Sequence, residues 1–194
     1  MGRYSKEEYK SGQHALDEKQ VKTLLLTFDD IQEKALIALA VALGLRREDL
    51  VNIKRRDYDP QKKTITYFEM KKKRTRTLRI PSQEAVQLLN MHLKTCRNSQ
   101  WIFPSPKTTG IYKNSHVSSR HIYDIFNEHL DIAGIERRPF HSLRASCYKL
   151  AQTKGWSMRK AAELLGDTLR VAENHYNAPS RREMEEIAEE KPLF

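Results

Sequence analysis

Residues 31–44, IQEKALIALAVALG, constrain this chain more than any other stretch. They are rich in helix formers and almost continuously apolar past Lys34, so they read as a helix with no face to leave in water. A helix of that kind has to be buried inside a shell of other elements. Gly44 can end it.

The rest of the chain reads mostly as that shell. Asp17 and Gln20 stand three apart, like a capping box, before VKTLLLTF. REDLVNI reads as a short helix, SQEAVQLLNMHLKTC as a longer one, and HVSSRHIYDIFNEHLDIAG as a helix closed by Gly134. RRPFHSLRASCYKLAQTKG predicts a helix from just after Pro139 to Gly155. SMRKAAELLG adds another capped by Ser157, and RVAENHY one more. The period changes once. TITYFEM and RTLRIP are β-prone runs joined by KKKRT, which predicts a hairpin with a very basic turn. WIFPSPKTTG reads as an aromatic stretch running into a loop. The expected fold is mainly α with a small antiparallel β-sheet, an α+β arrangement. At 194 residues it suits one domain, 15–180, between a flexible polar segment, 1–14, and a tail, 181–194.

Charge narrows the function classes. The formal net charge is +10, and residues 54–79 hold eleven Lys/Arg against three Asp/Glu. The tail has three basic and five acidic residues. A concentrated basic segment fits a polyanion-binding face, with nucleic acid the first candidate partner. No apolar run is long enough to cross a bilayer, and the N-terminus lacks the core of a signal peptide. Cys96 and Cys147 make no CxxC pair or zinc spacing, so a reduced, cytoplasmic setting and no metal are expected.

Three local signals then fall in order: ALGLRREDL with Arg46, HSLR with His141 and Arg144 on one helical face, and ELLGDTLRVAENHY, where Tyr176 lies nine residues beyond Asp167. The set Gly44-Leu45-Arg46 with Asp49-Leu50, a hairpin lysine, His141-Ser142-Leu143-Arg144, Leu165-Gly166-Asp167 and Tyr176 resembles the catalytic domain of the tyrosine recombinases, the phage integrase family. The likeness runs from about residue 15 to 180. It implies the tyrosine recombinase and type IB topoisomerase-like fold. It also implies DNA strand cleavage and rejoining by transesterification through a covalent 3′-phosphotyrosyl intermediate, with no cofactor, metal or ATP.

Those residue types suit that chemistry. A phenol can attack a phosphodiester and later depart, conserving bond energy in between. Two guanidiniums hold the non-bridging oxygens in a fork that lysine does not reproduce. A lysine at the scissile bond can protonate the leaving 5′-hydroxyl. By the resemblance Tyr176 is the nucleophile, Arg46 and Arg144 the phosphate clamp, and His141 a proton-handling or hydrogen-bonding partner. Counting back from Pro81 favours Lys73 as the catalytic lysine, then Lys72, then Lys71. Lys71, Lys72, Arg74 and Arg76 are the expected DNA contacts.

Two positions depart from the family pattern. Asp167 stands where the family has His or Trp, and Ala145 replaces a common His. An ionised Asp167 repels a phosphate, so it must point away, bind a neighbouring arginine, or be protonated. His175 could compensate, although adjacent helical residues face different directions. These departures keep open a second reading, a catalytically weakened or inactive DNA-binding module of the same fold. Other variants of the same chemistry are a type IB topoisomerase and a telomere resolvase. The implied partners are double-stranded DNA and, on DNA, further copies of the chain in a tetramer, with a monomer the open state off DNA. The charged tail, ending Pro192-Leu193-Phe194, suits docking on a neighbouring protomer. The family's separate N-terminal DNA-clamping domain is not part of the sequence, so weak and salt-sensitive DNA binding is expected.

Overall fold

The computed structural model describes residues 11–96, 99–107, 109, 114–177, 179 and 181–192, with the side chains of 181–183 left aside. The apolar run forms α2 (Ile31–Leu43), and eight of its thirteen residues are buried. Asp30 caps its start and Gly44 ends it in the left-handed region, φ +57°. A side chain at Gly44 is excluded twice over. The backbone is unfavourable for it, and a Cβ there would collide with Leu165 and Cys147.

Helices wrap this axis. α1 (Glu18–Leu26) starts in the expected capping box, Asp17 with Gln20. α4 (Gln83–Thr95) lies along α2, and α5 (Ser119–Ile132) and α6 (Ser142–Thr153) close further sides. Between α2 and α4 come α3 (Arg47–Val51) and the sheet. β2 (Thr64–Glu69) pairs antiparallel with β3 (Arg74–Arg79) in the register Ile65 to Leu78, Tyr67 to Arg76 and Glu69 to Arg74. A two-residue strand, β1 (Tyr58–Asp59), adds a third strand that no period in the sequence announces. Period-two alternation turns Ile65, Tyr67 and Glu69 inward, and all three are buried.

The C-terminal third carries α7 (Met158–Leu165), capped by Ser157, then α8 (Leu169–Tyr176) and α9 (Arg181–Glu190). The architecture is mainly helical with one small antiparallel sheet, as expected. Two boundaries differ. Ser11–His14, expected to end a flexible segment, form a 3-10 turn that buries Ser11 and Gly12 and packs on α6 and α8; residues 1–10 lie outside the described residues. α6 starts at Ser142, because a tight turn from Pro139, closed by the Ser142 amide donating to its carbonyl at 2.8 Å, comes first. Of the tail's terminal Pro192-Leu193-Phe194, the last two lie outside the described residues. Among the described residues no helix is long and apolar enough to cross a membrane.

Candidate active site

The site forms around the carboxyl end of α7. A helix leaves its last four carbonyls without intrahelical donors, and the aligned dipole makes that end attractive to cations. Here side chains from elsewhere supply the donors. Arg76 donates to the carbonyls of Glu163 (2.6 Å) and Leu164 (3.1 Å), Arg144 to Leu165 (2.5 Å), and Arg74 to Gly166 (3.2 Å), which Lys72 also reaches. Gly166 sits at φ +72°, and a Cβ on it would run into the Arg74 and Arg76 guanidiniums. The basic hairpin is thereby fastened to α7, and the helix end gathers these cations.

Arg144 is the most constrained of them. Its guanidinium is buried and makes four hydrogen bonds: to the carbonyls of Gly44 (2.6 Å) and Leu165 (2.5 Å), to Asp167 Oδ2 (2.7 Å), and from Nε to the Tyr176 hydroxyl (3.0 Å). Arg46 enters from the start of α3. One end of its guanidinium bonds Glu69 Oε1 at 2.6 Å and the other faces Asp167 Oδ1 at 3.4 Å. Asp49, one turn along α3, accepts from the Met70 amide at 2.9 Å and so ties this corner to the hairpin turn. Burial raises the Asp49 carboxyl pKa.

Asp167 lies at the convergence. Besides the two arginines, its carboxylate receives Lys72 Nζ at 3.3 Å and the Tyr176 hydroxyl at 3.1 Å. Burial alone would push its pKa up, but Arg144 and the hydrogen bonds from Arg144, Tyr176 and Lys72 outweigh that and hold it at about 2. Of the three options for this residue, binding a neighbouring arginine is therefore the one adopted. It is ionised.

Tyr176 is buried, 3% exposed, with its ring 5.8 Å from Tyr148 and 6.1 Å from His141 between centroids. Desolvation raises the phenol pKa more than Arg144 lowers it, so the hydroxyl keeps its proton at neutral pH. His141 stands at the N-cap of α6 and is exposed. Desolvation, then the Arg144 and Arg46 charges, lower its pKa to about 4, so it is uncharged at neutral pH. His175 is exposed, with its ring 6.4 Å from that of Tyr176 between centroids.

The lysine differs from expectation. The hairpin loop is four residues long, since Glu69 pairs with Arg74. Lys72 turns into the site, whereas Lys73 takes a left-handed conformation, φ +49°, and is exposed, as is Lys71. Counting from Pro81 locates the loop but not the residue that turns inward. Arg74 and Arg76, expected DNA contacts, are bonded to Glu69, Tyr67 and the α7 carbonyls. One residue escaped the sequence reading altogether. Glu69 is fully buried and bridges Arg46 to Arg74, at 2.6 and 2.9 Å. Its signal was available, as an acidic side chain at an inward position of β2 in phase with Ile65 and Tyr67. Among the described residues no group of three or more His, Cys, Asp or Glu could hold a metal ion.

Comparison with known proteins bears on the fold and the family. Tyrosine recombinase XerA of Pyrococcus furiosus is 26% identical over 182 residues, which cover 93% of this chain and 62% of that protein. The chain thus spans about three fifths of that relative. Among solved structures, XerA recombinase superposes with a TM-score of 0.74 at 20% identity, over 93% of this chain and 66% of that one. The XerH recombinase in a post-cleavage complex with a palindromic difH substrate gives 0.71 at 16%, over 94% and 53%. The integrase of mycobacterium phage Brujita gives 0.67 at 20%, over 96% and 66%. These likenesses establish a shared fold. The model of the phage integrase family matches residues 14–182, from the 3-10 turn through the nucleophile candidate, and the chain belongs to that family.

Proposed function

We propose that the chain is the catalytic part of a site-specific DNA recombinase that cuts and rejoins strands through Tyr176. One observation carries the reading. Arg144, Arg46 and Lys72 converge on a single carboxylate that also touches the Tyr176 hydroxyl, so an anion held there lies within reach of the phenol oxygen.

In the reaction the Tyr176 oxygen attacks phosphorus and forms the phosphotyrosyl bond while the bond from phosphorus to the 5′-oxygen breaks. The phenol proton passes to His141, which is uncharged at neutral pH. The Lys72 ammonium gives a proton to the departing 5′-oxygen. Arg144 and Arg46 neutralise charge on the non-bridging oxygens, where it is greatest in the transition state. Rejoining reverses each transfer. In this scheme Lys72 takes the role first expected of Lys73. XerH and lambda integrase have been solved with DNA, the latter as a tetramer on a Holliday junction, which supports double-stranded DNA as the partner and a tetramer as the working assembly. The α9 tail, with Met184 and Ile187 half exposed, supplies an apolar stripe for contact between copies.

The test is a suicide duplex, nicked so that the cleaved end diffuses away. A denaturation-resistant protein–DNA adduct is expected from the native chain and none from Tyr176→Phe. Asp167 favours the second reading, a DNA-binding module without catalysis. Retarded DNA with no adduct would establish that reading and remove the first. Relaxation of supercoiled DNA without exchange between paired sites would place the chain with the type IB topoisomerases.

A further inference from the structure

The cradle is not empty in the absence of DNA, and its occupant is out of place by the ordinary rules. Asp167 follows the carboxyl end of α7, where the helix dipole disfavours a negative charge. It is nevertheless held by four donors. Oδ2 receives Arg144 at 2.7 Å and the Tyr176 hydroxyl at 3.1 Å, and Oδ1 receives Lys72 at 3.3 Å and Arg46 at 3.4 Å. Its side chain is 5% exposed. Two oxygens on one centre, met by two guanidiniums, an ammonium and a phenol, form the arrangement that two non-bridging phosphate oxygens require. Both anions cannot use it at once. Like charges at that separation repel strongly, and each cation offers its converging N–H groups to one acceptor set at a time.

We infer that Asp167 is a resident anion. It holds Arg144, Arg46, Lys72 and the Tyr176 hydroxyl converged on one point before DNA arrives, and a phosphodiester enters only by displacing it. Asp167 is thus a positioning residue with two opposed effects. It keeps the clamp assembled, which limits the reorganisation needed at the moment of reaction. It also competes with the substrate, so affinity for any oxyanion is reduced by the fraction of time the carboxylate is seated. The competition for an oxyanion stands on the geometry alone. That the oxyanion is a DNA phosphodiester rests on the function proposed above.

The experiment titrates sulfate, whose charge is constant over the working pH range, into the DNA-free chain at fixed ionic strength by calorimetry. Asp167→Asn is expected to bind sulfate at least tenfold more tightly than the native chain, and Asp167→Glu to stay within about threefold of native. The gain should vanish when Arg144→Ala is added to Asp167→Asn. If Asp167→Asn does not fold, Asp167→His removes the charge and is expected to gain affinity likewise. No gain in the folded neutral variant overturns the inference. In the suicide-duplex assay KM, read as the DNA concentration giving half-maximal adduct formation, and the maximal single-turnover rate fall together in Asp167→Asn, because competition and pre-organisation are lost at once. A merely structural role reduces the active fraction and leaves KM where it was, and that result also overturns the inference. Tighter sulfate binding with no adduct from either protein supports the resident anion and removes the recombinase reading alone.

Discussion

α2 and the corner around α7 are both buried, and they are held together by opposite means. α2 meets its neighbours through Leu36, Ile37, Leu39 and Leu43, all about 1% exposed or less, and needs only volume and apolarity from them. Burying each such side chain contributes roughly 1.5–3 kcal/mol, with no directional requirement. The corner sets Arg46, Lys72, Arg74 and Arg144 around two carboxylates, Glu69 and Asp167, and each of these groups depends on a partner at a set distance. Pairs of this kind recover little more than their desolvation cost, but removing one member strands the other. The core therefore tolerates substitution of like for like, whereas the corner converts small changes of shape into loss of function.

The widest separation of the two regions comes from Tyr176→Phe. It removes one oxygen from the corner and nothing from the core. Adduct formation is expected to fall by more than about 10⁴-fold, since the nucleophile itself is gone. The cost in stability is about 1–3 kcal/mol, from leaving Arg144 Nε without its acceptor. Chemical denaturation alongside the adduct assay measures both.

Arg144→Lys comes next. The charge is kept, but an ammonium cannot reach Gly44, Leu165, Asp167 and Tyr176 from one position. Cleavage is expected to drop about 10³-fold, on the order of what loss of a preorganised donor costs elsewhere. Leu39→Ala is the mirror image in the core. It is expected to lose about 2–5 kcal/mol of stability, while the cleavage rate per folded molecule stays within about threefold of native. A Leu39→Ala protein that folds yet cleaves as poorly as Arg144→Lys would end the distinction between the regions.

The two regions were also unequally legible in sequence. α2 could be read at once, because burial writes itself as an apolar run and Gly44 marks its end. The caps at Asp17 and Ser157 are equally local, each a side chain bonding its own helix. The corner is built from residues up to 121 positions apart, as in Arg46 to Asp167, and no periodicity encodes such pairs. Motif spacing led to Arg46, Arg144 and Tyr176 only through the family they resemble. It could not choose between Lys72 and Lys73, because neighbouring residues of a four-residue loop face different ways and the backbone of the turn decides which. Glu69 was missed for a similar reason. Its alternation with Ile65 and Tyr67 was visible, but its partners, Arg46 and Arg74, become neighbours only when the hairpin docks.

That choice of lysine is a prediction of intermediate size. Lys72→Ala is expected to slow cleavage about 10²-fold, the usual scale for loss of a general acid, and Lys73→Ala to stay within about twofold. A DNA substrate with a 5′-thio leaving group, which needs no proton, should recover most of the Lys72→Ala loss. Recovery in Lys73→Ala instead would return the role to the loop tip.

The smallest effect is a dependence on pH to which the corner contributes two groups. The Asp167 carboxyl is held at about 2 in the folded chain against an ordinary value near 3.8. The unfolded state thus binds the proton first, and the stability this group contributes is present above about pH 4 and lost as pH falls through 2. The difference is worth at most about 2.5 kcal/mol, since each tenfold change in proton affinity corresponds to roughly 1.4 kcal/mol. His141 is lowered to about 4 from 6.5, so stability also declines as pH falls from 6.5 through 4 while the unfolded chain takes up that proton. The two windows adjoin without overlapping. Asp167→Asn should make the denaturation midpoint fall less steeply with pH below 4 and leave the decline above 4 in place, and His141→Gln should do the reverse. A core substitution such as Leu39→Ala should move the whole curve downward without changing its shape. Flattening of both windows by Asp167→Asn would mean that His141 titrates only through that carboxylate, and the corner would then have to be treated as one coupled proton-binding unit.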